Sequence, residues 1–260
     1  MIKMIACDID GTLIQKGDTG IRPELFPLIE RLMEKEIVFC TASGRQYACQ
    51  KRLMAPVAEK IHYICENGAI TFDEKGNSIS KQAIPRADAM AMIGQILQTE
   101  RCEVLISGEE SCYIIPKEAD FLPHVRDFVG NDTTVITDPQ EIPGEIIKIA
   151  AYCRDGAAKL LPAFRSRWSD RYSVAIGGEL WLDLTLANKA IGLRAVCDTL
   201  KIDPSEVMAF GDNFNDVDML RFVGVSYAME HSHPEVKAQA KHICRRVEPE
   251  LEKFLRETDG

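Results

Sequence analysis

Two carboxylates stand two residues apart in Asp8-Ile9-Asp10-Gly11-Thr12-Leu13, directly after the apolar run 3–7. In a strand, residues i and i+2 face the same side, so both can reach one site. That site would lie at the carboxyl end of the strand, where open α/β sheets bind ligands. Two carboxylates there can hold Mg²⁺, or act as nucleophile and acid/base. Gly11 lets the chain turn sharply. A second segment, Thr41-Ala42-Ser43-Gly44-Arg45, also follows an apolar run. A hydroxyl, a glycine amide and a helix N-terminus make a phosphate cradle, although Ser is equally a common helix cap. Lys189 stands at the start of a helical pattern, where its ammonium can reach a phosphoryl oxygen or simply face solvent. The fourth segment is Gly211-Asp212-Asn213-Phe214-Asn215-Asp216. Its oxygen-rich side chains suit a hard cation such as Mg²⁺, and its spacing does not fit a helix–loop–helix calcium loop.

These residues need scaffolding, and the pattern around them supplies it. Apolar runs at 3–7, 37–41, 63–65, 207–210 and 225–229 read as strands. Helical periodicity at 23–35, after Gly44, and at 189–200, 216–222 and 250–256 alternates with them. This is the signature of a Rossmann-like, doubly wound α/β core with a parallel sheet. From about 84 to 182 the texture changes. Helical patterns at 87–99, 119–129 and 157–168 alternate with strands at 103–107, 112–115, 146–152, 172–176 and 180–184. Gly108-Glu109-Glu110 and Gly177-Gly178 punctuate them as turns. The expected organisation is a core from residues 1–83 and 183–260 and an inserted α+β domain over 84–182.

Composition narrows the class. The 260 residues carry 31 Lys and Arg against 40 Asp and Glu, a formal net charge of −9, which argues against a nucleic-acid or anionic-membrane partner. No apolar run is long enough for a membrane span, and the run before Asp8 leaves no room for a secretory leader. Nine scattered Cys without a CxxC pair read as reduced thiols, and the expected location is the cytoplasm.

Together the four segments resemble the haloacid dehalogenase superfamily of phosphatases, most closely its Cof-type subfamily with a class IIB α/β cap. Asp8-Ile9-Asp10-Gly11-Thr12 stands as its first motif, Ser43-Gly44-Arg45 as its second, Lys189 as its third and Gly211 to Asp216 as its fourth. Glu66-Asn67-Gly68-Ala69 is similar to the segment before the family's cap. The resemblance implies that Asp8 attacks phosphorus and Asp10 serves as acid and base. It implies Mg²⁺ at Asp8, the Asp10 carbonyl and Asp212, with Asp216 as a further ligand or support. Ser43, Gly44, Lys189 and Asn215 would hold the phosphate oxygens. The implied enzyme is a Mg²⁺-dependent phosphatase of small phosphorylated metabolites, monomeric or weakly dimeric, with the cap setting specificity. A phosphosugar mutase and a non-catalytic metabolite-binding regulator are the alternatives. The chain departs from the family pattern twice. Ser43 replaces the usual Thr, and Glu230-His231-Ser232-His233-Pro234 replaces a small, amide-rich turn. His231 and His233 read as a polar loop, Trp168 and Trp181 as core or interface residues, with a substrate-site lining the alternative for Trp181, and Glu109, Glu110 and Glu118 as solvated surface. Arg45 reads as solvent-facing or as an anchor for its helix.

Overall fold

The computed structural model describes residues 1–109, 111–130 and 133–258, with only the backbone of residues 128 and 129. Glu110, expected in a turn and on an acidic surface, lies outside the described residues. The chain divides into two units, Met1–Ser80 with Lys189–Gly260, and Lys81–Asn188.

The first unit is built on an eight-stranded sheet. Its order is His242–Cys244, Val225–Met229, Val207–Gly211, Met4–Cys7, Val38–Ala42, His62–Cys65, Ile70–Phe72 and Ser78–Lys81. The first six run parallel, and Ile70–Phe72 turns back antiparallel against His62–Cys65. Every residue of Met4–Cys7 is buried, as expected of a central strand covered on both faces. The chain leaves this strand toward Val38–Ala42 on one side and returns beside it as Val207–Gly211 on the other. Met4–Cys7 is therefore the switch point of the sheet, the place at whose carboxyl end open α/β sheets bind ligands. Leu25, Leu28, Ile29 and Leu32 form the buried stripe of the helix Leu25–Glu34. The mixed α/β fold with a parallel-rich sheet agrees with the class expected from the sequence.

The second unit carries a six-stranded sheet in the order Ser173–Gly178, Trp181–Thr185, Lys148–Cys153, Cys102–Ser107, Cys112–Ile114 and Thr133–Val135. One face packs Val104, Ile106, Ile149, Ala151, Leu182 and Leu184 under the helices Arg86–Gln98 and Leu161–Trp168. The other face carries Leu105 and Ala150, with Phe121, Tyr152 and Trp181. This alternation is the period of two that separates sheet faces. Trp168 is core, its indole N–H donating to Gln95 at 2.9 Å, while Trp181 is half-buried with its ring 4.9 Å from Tyr152.

Several expected elements change form. The helix expected over 119–129 is a single α turn, Phe121–Pro123, followed by a wider π turn, His124–Val129. Pro123 has no N–H to give to a regular helical ladder. The helix expected over 157–168 is a 3-10 turn, Ala157–Lys159, and then Leu161–Trp168, whose start Pro162 favours. Ile70–Phe72, Ser78–Lys81, Thr133–Val135 and His242–Cys244 were not expected as strands. All nine Cys are buried. Among the described residues no helix is long and apolar enough to cross a membrane.

Candidate active site

Parallel register brings the motifs together. Cys7 pairs with Phe210 on one side and Thr41 on the other, so Asp8 emerges level with Gly211 and Ala42. The Asp8 amide donates to the Phe210 carbonyl at 3.0 Å. Asp212 thus leaves the sheet beside Asp8, and Ser43 leaves it on the opposite flank.

Asp8, Lys189 and Asp216 form a buried triad. Lys189 Nζ donates to Asp8 Oδ1 at 2.5 Å and to Asp216 Oδ1 at 2.6 Å, and it is fully buried. Such a cation is tolerated only because carboxylates surround it. Burial pulls its pKa down, but Asp216 and Asp8 more than offset this and leave it raised. Asp216 Oδ2 accepts from the amides of Asp212 and Asn213, both at 2.9 Å, which shapes the turn. Lys189 opens the helix Lys189–Leu200, and Gly192 lets that helix approach. A Cβ there would meet Ile64 Cγ2 at 2.6 Å and Gly68 Cα at 2.9 Å.

Asp8, Asp212 and Asp216 offer oxygens that all lie within 4.8 Å of one another. Asp8 Oδ2 and Asp212 Oδ1 are buried and have no hydrogen-bond donor among the described residues. Burial pushes the Asp8 carboxyl pKa well up, the Lys189 charge opposes this, and Asp216 and Asp212 add to the rise. Asp212 is pushed up to about 6 by burial and Asp216, with Lys189 and His231 opposing. Three carboxylates against one ammonium leave a formal surplus of two negative charges. An oxygen-only, anionic set with unused buried oxygens fits a hard divalent cation. Gly11 is required here, since it has φ +91° and a Cβ on it would lie 2.2 Å from Asp212 Oδ2.

Ser43, Gly44 and Asn215 form a second group, joined through Asn67. Ser43 is buried, and its Oγ accepts from the Arg45 amide at 3.2 Å. A Cβ on Gly44 would crowd the Asn67 amide at 3.2 Å, and Asn215 Nδ2 donates to Asn67 Oδ1 at 3.0 Å. Glu66 and Asn67 both adopt left-handed backbone, with φ 51° and 56°. Such strain persists where the surroundings enforce it and clusters at functional sites.

Asp10 stands apart from the buried triad. Its side chain is 52% exposed, and its two oxygens accept from Arg45 Nε and Nη2, both at 2.7 Å. The bonds to Asp10 raise the Arg45 pKa against the pull of burial. Arg45 therefore does not point to solvent. The sequence reads His231 as part of a polar loop, and in the structure its Nε2 lies 3.5 Å from Asp212 Oδ2. The departure from the family pattern after Met229 was the visible signal. His233 caps the helix Pro234–Lys237, its Nδ1 accepting from the Glu235 amide at 3.3 Å. Arg45 lies inside the second motif and Asn67 inside the segment 66–69, but nothing in their spacing shows which side chain they meet.

A buried carboxylate bonded to a buried lysine, two further aspartates beside it and a switch-point strand in a Rossmann-like parallel sheet are what the four segments build together. The sequence matches the haloacid dehalogenase-like hydrolase family over residues 5–249, so the chain belongs to that family. It is 28% identical over 247 residues to the 5-amino-6-(5-phospho-D-ribitylamino)uracil phosphatase YbjI of Escherichia coli K12, covering 93% of this chain and 90% of that protein. It is 24% identical to an HMP-PP phosphatase of Serratia proteamaculans, over 92% and 87% of the two chains. A crystal structure from Eubacterium rectale superposes with TM-score 0.83 at 30% identity, over 99% of each chain. The expected enzyme class, a phosphoric monoester hydrolase of this family, is borne out.

Proposed function

We propose that the chain hydrolyses phosphate monoesters of small metabolites through a phosphorylated Asp8, with Asp10 as acid and base. The observation that carries this reading is the Asp8 carboxylate, whose Oδ1 is fixed by Lys189 while its buried Oδ2 has no donor among the described residues. One oxygen is held and the other is left for chemistry. Asp8 attacks phosphorus as the bond to the leaving oxygen breaks, and Asp10 delivers a proton to that oxygen. Water then attacks the phosphorus, Asp10 takes its proton, and inorganic phosphate leaves with Asp8 restored. Ser43, Gly44, Lys189 and Asn215 hold the non-bridging oxygens.

Asp8, the Asp10 carbonyl and Asp212 would hold Mg²⁺, with Asp216 supporting, and the cation would offset the repulsion between an anionic nucleophile and an anionic phosphate. Substrates are sugar phosphates or phosphorylated cofactors, and the two similar phosphatases support small phosphorylated metabolites as the class. Residues 84–182 form the cap that sets specificity, and the protein works in the cytoplasm.

Acid quenching during turnover of ³²P-labelled substrate should leave label on Asp8, and Asp8→Asn should abolish both label and turnover. Turnover at the wild-type rate in Asp8→Asn would overturn the reading. A panel of phosphorylated metabolites, followed by phosphate release, identifies the substrate.

A further inference from the structure

Arg45 has no role in the reaction as set out above, yet it is the residue that holds Asp10. Its Nε meets Asp10 Oδ2 and its Nη2 meets Asp10 Oδ1, both at 2.7 Å. Its Nη1 lies 3.2 Å from Cys49 Sγ. The backbone behind it is anchored in turn. The Arg45 amide donates to Ser43 Oγ at 3.2 Å, and its carbonyl accepts from the Glu66 amide at 3.2 Å and from Gln50 Nε2 at 3.1 Å. Gln50 is buried and also donates to the Ile64 carbonyl and binds Thr41 Oγ1. The guanidinium is thus fixed from the interior, while the carboxylate it grips is half in water. Among the described residues, Arg45 makes the only side-chain bonds of Asp10.

We propose that Arg45 is the positioning residue for Asp10, fixing its carboxyl group where a proton can pass to the leaving oxygen. The inference rests on the acid/base role given to Asp10 above. A planar fork that engages both oxygens fixes both side-chain torsions of an aspartate. A lysine, as a point charge on a flexible stem, fixes neither. An exposed aspartate without such a partner samples several rotamers, and misplacement by about 1 Å can cost on the order of 10²-fold in rate.

The leaving group separates this role from phosphate binding and from simple support of the loop. An alkoxide leaves only with a proton, whereas p-nitrophenolate leaves without one. The constant kcat/KM reports steps up to departure of the leaving group, before water enters. The experiment compares kcat/KM for glucose 6-phosphate or another alkyl phosphate turned over by the wild type with that for p-nitrophenyl phosphate. It uses wild type, Arg45→Met, Arg45→Lys and each change in an Asp10→Asn background.

The expected result is a loss on the alkyl ester at least tenfold larger than on the aryl ester, in both Arg45 variants. That extra loss should vanish when Asp10 is already Asn. Equal losses on the two esters would overturn the proposal, as would an undiminished Arg45 effect in the Asp10→Asn background. If Arg45→Met fails to fold, Arg45→Lys is judged by the same two criteria. Wild-type enzyme that is never labelled on Asp8 would instead remove the aspartyl-phosphate route. Labelled Asp8 with equal losses removes only the assignment of Arg45.

Discussion

At the scale of single residues, Lys189 is where stability and the proposed chemistry meet. Its ammonium is fully buried and bonded to two carboxylates that are themselves buried. Removing one partner of such a group strands the others in a medium that does not solvate charge. Lys189→Met should therefore cost about 3–5 kcal/mol of stability by urea unfolding and also abolish turnover. A variant that lost activity at unchanged stability would show that the carboxylates find another counter-charge. Taken alone, a lysine at a helix start reads from sequence either as a phosphate ligand or as an exposed surface residue. Nothing in Asn188-Lys189-Ala190 shows that two acids from distant segments close around it.

The elements that position the site were legible where periodicity is strong. The helix Leu25–Glu34 and the strands Met4–Cys7 and Val207–Gly211 follow from an apolar stripe and from continuous apolar runs. Ile70–Phe72 and Ser78–Lys81 escaped because three or four residues carry too few periods, and Ser78–Lys81 buries none of its residues. The motifs gave the types of the candidate site residues but not their contacts. Those depend on register, as with Asp10 meeting Arg45 and His231 meeting Asp212. Strand burial also sets a pH response. His62 opens the strand His62–Cys65, with Nδ1 buried and no partner for it among the described residues. Burial lowers its pKa in the fold, with Glu74 and Asp73 opposing. The unfolded chain binds the proton more readily, so the strand's contribution is complete above about pH 6.5 and is lost as pH falls toward the folded value. His62→Phe should flatten the fall of melting temperature below about pH 6.5. An unchanged slope would assign that fall to other groups.

At the scale of the whole molecule, the formal charge of −9 is gathered partly into one acidic cradle. Asp8, Asp212 and Asp216 repel one another, a cost that a cation removes. Mg²⁺ at about 100 times its Kd should stabilise the protein by about 2.7 kcal/mol, and EDTA should reverse this and stop turnover. Asp212→Asn should stabilise the metal-free protein and blunt the response to Mg²⁺, as read by calorimetry. Equal Mg²⁺ shifts in variant and wild type would place the cation elsewhere. The unit Lys81–Asn188 contains none of the four motifs, so its proposed task is choice of substrate. Trp181→Ala should change kcat/KM for the best metabolite more than for an aryl phosphate. Equal losses with folding intact would refute that task for Trp181.

The central strand Met4–Cys7 pairs with Val38–Ala42 early in the chain but with Val207–Gly211 only near its end. On the ribosome, the first 80 residues therefore emerge with one flank of their middle strand unpaired, while more than a hundred further residues are made. At a synthesis rate of about 5–20 residues per second, that flank stays open for roughly 6–25 s. An unpaired, apolar strand edge is a template for association with other chains. The nascent protein thus passes through a sticky interval that the finished one never shows. A chain stopped after Asn188 should leave residues 81–188 resistant to protease while residues 1–80 are digested. Equal resistance of both segments would mean that the early strands shelter that edge by themselves.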